Sequence, residues 1–136
     1  MNNGRFAISV HILTLLEAVK EDWCSSEYLA GSININPVLV RKELINLRKH
    51  GLIISKEGKS GGSKLAKLAS SIFMSDVYDA VRPEHFLGKG INKPNPNCPV
   101  GQQINQHLDE LYKESERALV VSLGKSTLAE FCKNFD

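Results

Sequence analysis

The segment Asn36 to Gly51, NPVLVRKELINLRKHG, limits what this chain can fold into more than any other stretch. Asn36 is a strong N-cap, and Pro37 stands at the first helical position, where its missing N–H is not needed. Val40, Leu44 and Leu47 recur at i, i+4 and i+7, and Ile45 is expected to widen that apolar face. Arg41 and Arg48 are seven residues apart, as are Lys42 and Lys49, so each pair shares a face away from the apolar stripe. Gly51 is a natural stop. The spacing predicts a helix with one side for a core and a basic side for something else.

The neighbouring segments supply the context. Arg5 to Val19 reads as a mostly buried helix, with Phe6, Val10, Leu13 and Leu16 on a stripe that Ile8, Ile12 and Leu15 widen. His11 within it reads as a packed or surface residue rather than a ligand. Ser25 is a good N-cap for a second, short helix, with Glu27 in its first turn and Tyr28, Leu29 and Ile33 as its apolar face. After Gly51, LIIS and SKLAK read as strands joined by a glycine-rich basic turn, KEGKSGG. Such a ribbon is marginal alone and must pack on the helices.

Helix, helix, capped basic helix and ribbon is the order of a winged helix-turn-helix. There the second helix of the pair enters the major groove, and the ribbon tip touches the flanking backbone or minor groove. The expected fold class is therefore mainly α with a small β-ribbon wing. Residues 1–82 form the winged helix-turn-helix, 83–98 a connector, and 99–136 a helical dimerisation arm.

Charge agrees with this placement. Residues 36–67 hold eight basic and two acidic side chains, so the segment carries +6 while the chain carries +2. A basic block on a mildly acidic body suits a phosphate-binding face. Asn36, Pro37, Val38 and Arg41 are expected to face base edges. Lys42, Arg48 and Lys49 are expected on phosphates, with Ser25, Ser26 and the wing residues Lys56, Lys59 and Lys64 completing the contact set.

The second half reads as an arm. Phe73 to Val81 has a short helical pattern, and the proline-rich stretch before Pro99 breaks all periodicity. A long helix is expected from about Pro99 to Leu123. In it Ile104, Leu108, Leu111, Ser115 and Ala118 follow alternating spacings of four and three, a narrow seam suited to a second copy of the chain. A homodimer is also what a palindromic operator on double-stranded DNA demands. Thr127 and Glu130 form a capping box for a final helix, docked by Leu128 and Phe131.

Three dispersed cysteines argue against a secreted disulfide framework, and no apolar run is long enough to span a membrane. The expected location is the cytoplasm. No phosphate loop, nucleophile elbow or zinc-protease motif is present, so no enzyme is expected. No cofactor is expected either. Cys98 is placed to cap the long helix, where the positive end of the dipole favours a thiolate. Cys98 and Cys24 are the candidates for a redox response.

The stretches NPVLVRKELINLRKHGLIIS, GKSGGSKLAK, MSDVYDAV and NPNCPVGQQINQHLDE, with the wing glycines Gly61 and Gly62, resemble the Rrf2 family of bacterial winged-helix regulators over essentially the whole chain. CPVG at the start of the long helix resembles the YwnA-like branch. The resemblance implies a dimeric DNA-binding regulator, usually a repressor. Glu57 and Ser63 stand where family wings often carry an arginine and an aromatic, which implies a wing that touches backbone only. Cluster-binding members use three closely spaced cysteines near the long helix, whereas Cys98 stands alone here, so no metal is expected. The other reading is a winged-helix interaction module that regulates a partner enzyme with little DNA contact. The effector and the operator sequence are not legible.

Overall fold

The computed structural model describes residues 4–88 and 92–136. Residues 1–3 of the expected DNA-binding unit and 89–91 of the expected connector lie outside the described residues. Six α-helices and one two-stranded sheet are present among them: α1 (Arg5–Val19), α2 (Ser26–Ile33), α3 (Pro37–Lys49), β1 (Ile53–Lys56), β2 (Gly62–Leu65), α4 (Met74–Val81), α5 (Ile104–Leu123) and α6 (Leu128–Cys132). No helix among the described residues is long and apolar enough to cross a membrane.

The caps act where their residue types direct. Ser25 Oγ accepts the Tyr28 N–H at 3.1 Å, and Asn36 Oδ1 accepts the Val38 N–H at 2.8 Å. Thr127 and Glu130 exchange hydrogen bonds at the start of α6. Gly51 turns the chain out of α3 with a positive φ of 75°, a conformation glycine adopts without strain.

One core joins these elements. Ile12, Leu13 and Leu16 of α1 meet Leu29 of α2, Val40 and Leu47 of α3, Ile53 of β1, Ile72, and Val77 of α4. His11 spans α1 and α2, its Nε2 lying 3.1 Å from Ser32 Oγ. Asn46 Nδ2 donates to Ala80 O at 2.7 Å and so ties α3 to α4. The C-terminal segment returns to this core rather than extending the arm. Leu128 is fully buried, its N–H donates to Ile72 O, and the Met74 N–H donates to Ser126 O.

The structure departs from the sequence expectation at Tyr28, at Ile45 and at the start of the long helix. Tyr28 and Ile45 do not join the core: they are 51% and 60% exposed. At about 100° per residue, Ile45 lies roughly 140° round α3 from Val40, so it points away from the side that packs. The long helix begins at Ile104, not near Pro99. Residues 99–103 form turns, beginning with a helical bond from the Gln102 N–H to Cys98 O. Gly101 sits against Asn95, where an added Cβ would lie 2.7 Å from the Asn95 carbonyl oxygen. The chain is therefore held close to the preceding loop and enters α5 only after this separate turn.

Candidate nucleic-acid interface

The exposed side of α3 is built by what the other side buries. Val40, Glu43, Leu44 and Leu47 face inward. Glu43 is only 4% exposed, and its carboxylate accepts two hydrogen bonds from the Arg5 guanidinium, at 2.8 Å from Nε and 3.1 Å from Nη2. The only acidic side chain of α3 is thus neutralised inside the fold. The outer face retains Arg41, Lys42, Arg48 and Lys49, all exposed, with Val38 and Ile45 between them. Sequence reasoning missed this inward turn of Glu43, although its spacing of three from Val40 and four from Leu47 signals it.

Arg41 reaches back to α2. Its Nη1 lies 3.4 Å from Ser26 Oγ and 3.5 Å from Glu27 Oε2. Both are exposed and weak, so they orient the guanidinium without holding it against a better anion. Ser25 and Asn36 use their side chains to cap α2 and α3. Pro37 is half-buried at the first turn, next to exposed Val38.

The wing stands beside α3. Its register pairs Ile53 with Leu65, Ile54 with Lys64, Ser55 with Ser63 and Lys56 with Gly62. Ser55 and Ser63 share a shallow cleft of about 190 Å³ with Arg41, Leu44, Ile45 and Arg48. Alternation along the strands puts Ile54, Lys56 and Lys64 on the opposite face. There Trp23 carries both lysines, with Lys64 Nζ 4.8 Å and Lys56 Nζ 5.9 Å from the ring centroid. Lys59 is exposed in the turn between the strands. The α3 cations and Ser26 are thus brought together, whereas Lys56 and Lys64 lie on the far side of the ribbon. No periodicity in the sequence marks Trp23.

Cys24 fixes the wing in place. Its backbone exchanges two hydrogen bonds with Ser63, at 3.0 and 2.8 Å. This close approach explains Gly62, where a Cβ would strike the Cys24 carbonyl oxygen; at Gly61 a Cβ would strike the Lys56 carbonyl oxygen within the ribbon itself. Cys24 is buried, and that burial pushes its thiol pKa up. Burial also raises Cys132. Cys98 differs. Its partly exposed Sγ accepts the Gly101 N–H at 3.4 Å, and that bond, with help from the Val100 N–H, lowers its pKa. The cap lies on the turn before α5 rather than on α5 itself.

Polar contacts at Glu116 join α5 to α4. Tyr78 Oη donates to Glu116 Oε2 at 2.8 Å, and Arg82 Nε lies 3.4 Å from the same oxygen. Desolvation and the Glu116 bond push the Tyr78 phenol up to about 12. None of the twenty residues of α5 is buried. Ile104, Leu108 and Ser115 are half-buried, while Ala118 is exposed and Leu111 is 54% exposed. Val121, absent from the seam read in the sequence, is exposed beside Ala118.

Comparison with known proteins places this geometry. Residues 2–134 match the model of the family described as Rrf2, iron-dependent transcriptional regulator. The chain is 37% identical over 130 residues to YwnA, described as an HTH-type transcriptional regulator of Bacillus subtilis (strain 168), covering 96% of each chain. A solved structure described as a DNA-binding protein is similar at 34% identity and TM-score 0.75, covering 93% of this chain and 97% of that one. A transcriptional regulator from Lactobacillus plantarum is similar at 26% identity and TM-score 0.82, covering 97% and 89%. The family description mentions iron, yet among the described residues no three His, Cys, Asp or Glu side chains gather as a metal would require. Cys24 in the wing bridge, Cys98 before α5 and Cys132 in α6 do not form a donor set for iron or an iron–sulfur cluster.

Proposed function

Because this chain belongs to the Rrf2 family of transcriptional regulators and is a winged-helix DNA-binding regulator, we propose that it acts as a homodimeric repressor on a palindromic operator, in the bacterial cytoplasm. The observation that carries the reading of DNA by α3 is the Arg5–Glu43 pair, which leaves basic side chains as the only charged groups on the outer face of that helix. In this reading Arg41 contacts base edges near the N-terminus of α3, while Lys42, Arg48, Lys49 and Lys59 meet phosphates. Residues 1–82, with α6 docked beneath them, form the reading unit, and α5 is the pairing element.

A second copy of α5 is the proposed occupant of its uncovered face, with Leu111, Ala118 and Val121 at the centre and Ile104, Leu108 and Ser115 at the edge. Cys98 supplies the switch in this proposal. A peroxide oxidises its thiolate to a sulfenate and is itself reduced to water or an alcohol. That change removes the thiolate acceptor from Gly101 just before the pairing helix. Cys24, buried in the wing bridge, acts structurally.

The test is the double substitution Arg41→Ala, Arg48→Ala, measured by fluorescence anisotropy on DNA selected by the wild type. Expected is loss of specific binding at unchanged thermal unfolding. Retained affinity with an unchanged salt slope would refute the assignment of α3.

A further inference from the structure

The centre of the exposed α3 face is not charged. Counted at about 100° per residue from the core-facing Val40, Val38 and Ile45 lie at roughly 160° and 140°. Arg41 and Arg48 flank them on one side, and Lys42 and Lys49 on the other. Val38 and Ile45 are each 60% exposed, the first in the opening turn of α3 and the second just past its middle. Two branched aliphatic side chains therefore stand in water along the middle of a row of four cations. Helix propensity does not favour them there, since branching restricts them on a helix.

Their surroundings limit what can cover them. A second copy of α3 would bring the four cations against four others, so this face repels itself. The occupant must be anionic at its margins and apolar at its centre. The major groove of B-DNA has phosphates along both edges, and on its floor the apolar group is the C5-methyl of thymine. We propose that Val38 and Ile45 read thymine methyl groups, so that the operator half-site carries thymine beneath both ends of the α3 contact.

This inference rests on α3 being the reading helix, and its test separates the two. A duplex is enriched from a random pool with the intact protein, then made with deoxyuridine in place of every thymidine. The change removes only the methyl groups. Loss of one buried methyl weakens binding about fourfold, so two contacts predict roughly a fifteenfold drop in affinity. The variant Val38→Ala, Ile45→Ala, altered only at exposed positions, is expected to bind the two duplexes equally. Equal binding of both duplexes by the wild type, with steep salt dependence intact, would overturn methyl reading and leave α3 as the DNA-binding helix. Discrimination retained by the double variant would overturn it too. Enrichment of no duplex would overturn both statements.

Discussion

The Arg5 guanidinium and the Glu43 carboxylate, 38 residues apart in sequence, are joined by two hydrogen bonds that tie the first turn of α1 to the middle of α3. The pair acts with the buried Val40, Leu44 and Leu47 to orient α3 about its own axis. Arg5→Ala would leave a buried carboxylate without its partner. A loss of roughly 2–4 kcal/mol is expected, at the lower end of the range for buried pairs because Arg5 is partly exposed. Urea unfolding would measure it, and a change below about 0.5 kcal/mol would show that the pair is replaceable by water.

The wing glycines should differ in their tolerance of alanine. At Gly62 the φ is +145° and the added Cβ would strike the Cys24 carbonyl, whereas Gly58, at φ +102°, has nothing within 4 Å. Gly62→Ala is expected to destabilise by about 2–4 kcal/mol and Gly58→Ala by about 1 kcal/mol. Equal midpoints for the two variants in urea would contradict the bridge.

Alkaline titration should report the contact between α4 and α5. The Tyr78 phenol is raised to about 12 in the folded protein, so its proton is held more tightly there than in the unfolded chain. Stability from this group is fully present below about pH 10 and is lost as the pH rises toward 12. Tyr78→Phe should flatten the fall in unfolding free energy across that window. An unchanged slope would mean that the phenol does not bond Glu116 in solution.

The three thiols should alkylate in order. Backbone N–H groups lower Cys98, while burial raises Cys24 and Cys132. Cys98 should react first with iodoacetamide, and its rate should rise at lower pH than the other two. Peptide mass spectrometry at several pH values reads this directly. Labelling of Cys24 ahead of Cys98 would contradict the order.

Leu111→Glu tests the pairing helix. The side chain is exposed in the single chain, so folding should be little changed. Sedimentation at micromolar concentration should show the wild type as a dimer and the variant as a monomer. A wild type that sediments as a monomer would refute pairing through α5.

Much of the fold was legible because local chemistry and tertiary structure agree. Ser25, Asn36 and Thr127 cap the helices that follow them. The stripe from Phe6 to Leu16 matches α1 from Arg5 to Val19. Periodicity was misleading where an apolar residue serves the surface, as at Ile45 and Tyr28. The start of α5 was displaced by the packing of Gly101 on Asn95, a contact that residue type alone does not announce. The basic row of α3 could be read directly. The roles of Glu43, Trp23 and the Cys24 backbone depend on pairs 38, 41 and 39 residues apart, as Arg5–Glu43, Trp23–Lys64 and Cys24–Ser63.

The Cys24–Ser63 bridge joins the wing to the residue just before the α2 cap, and α2 in turn meets α3 through Arg41. The elements around the α3 face are thus assembled before any duplex arrives, with little backbone left to order on contact. Binding should then show the heat-capacity change of two preformed surfaces meeting, without the larger change that accompanies folding on contact. Encounter with DNA becomes a matter of orientation and charge rather than of conformational search.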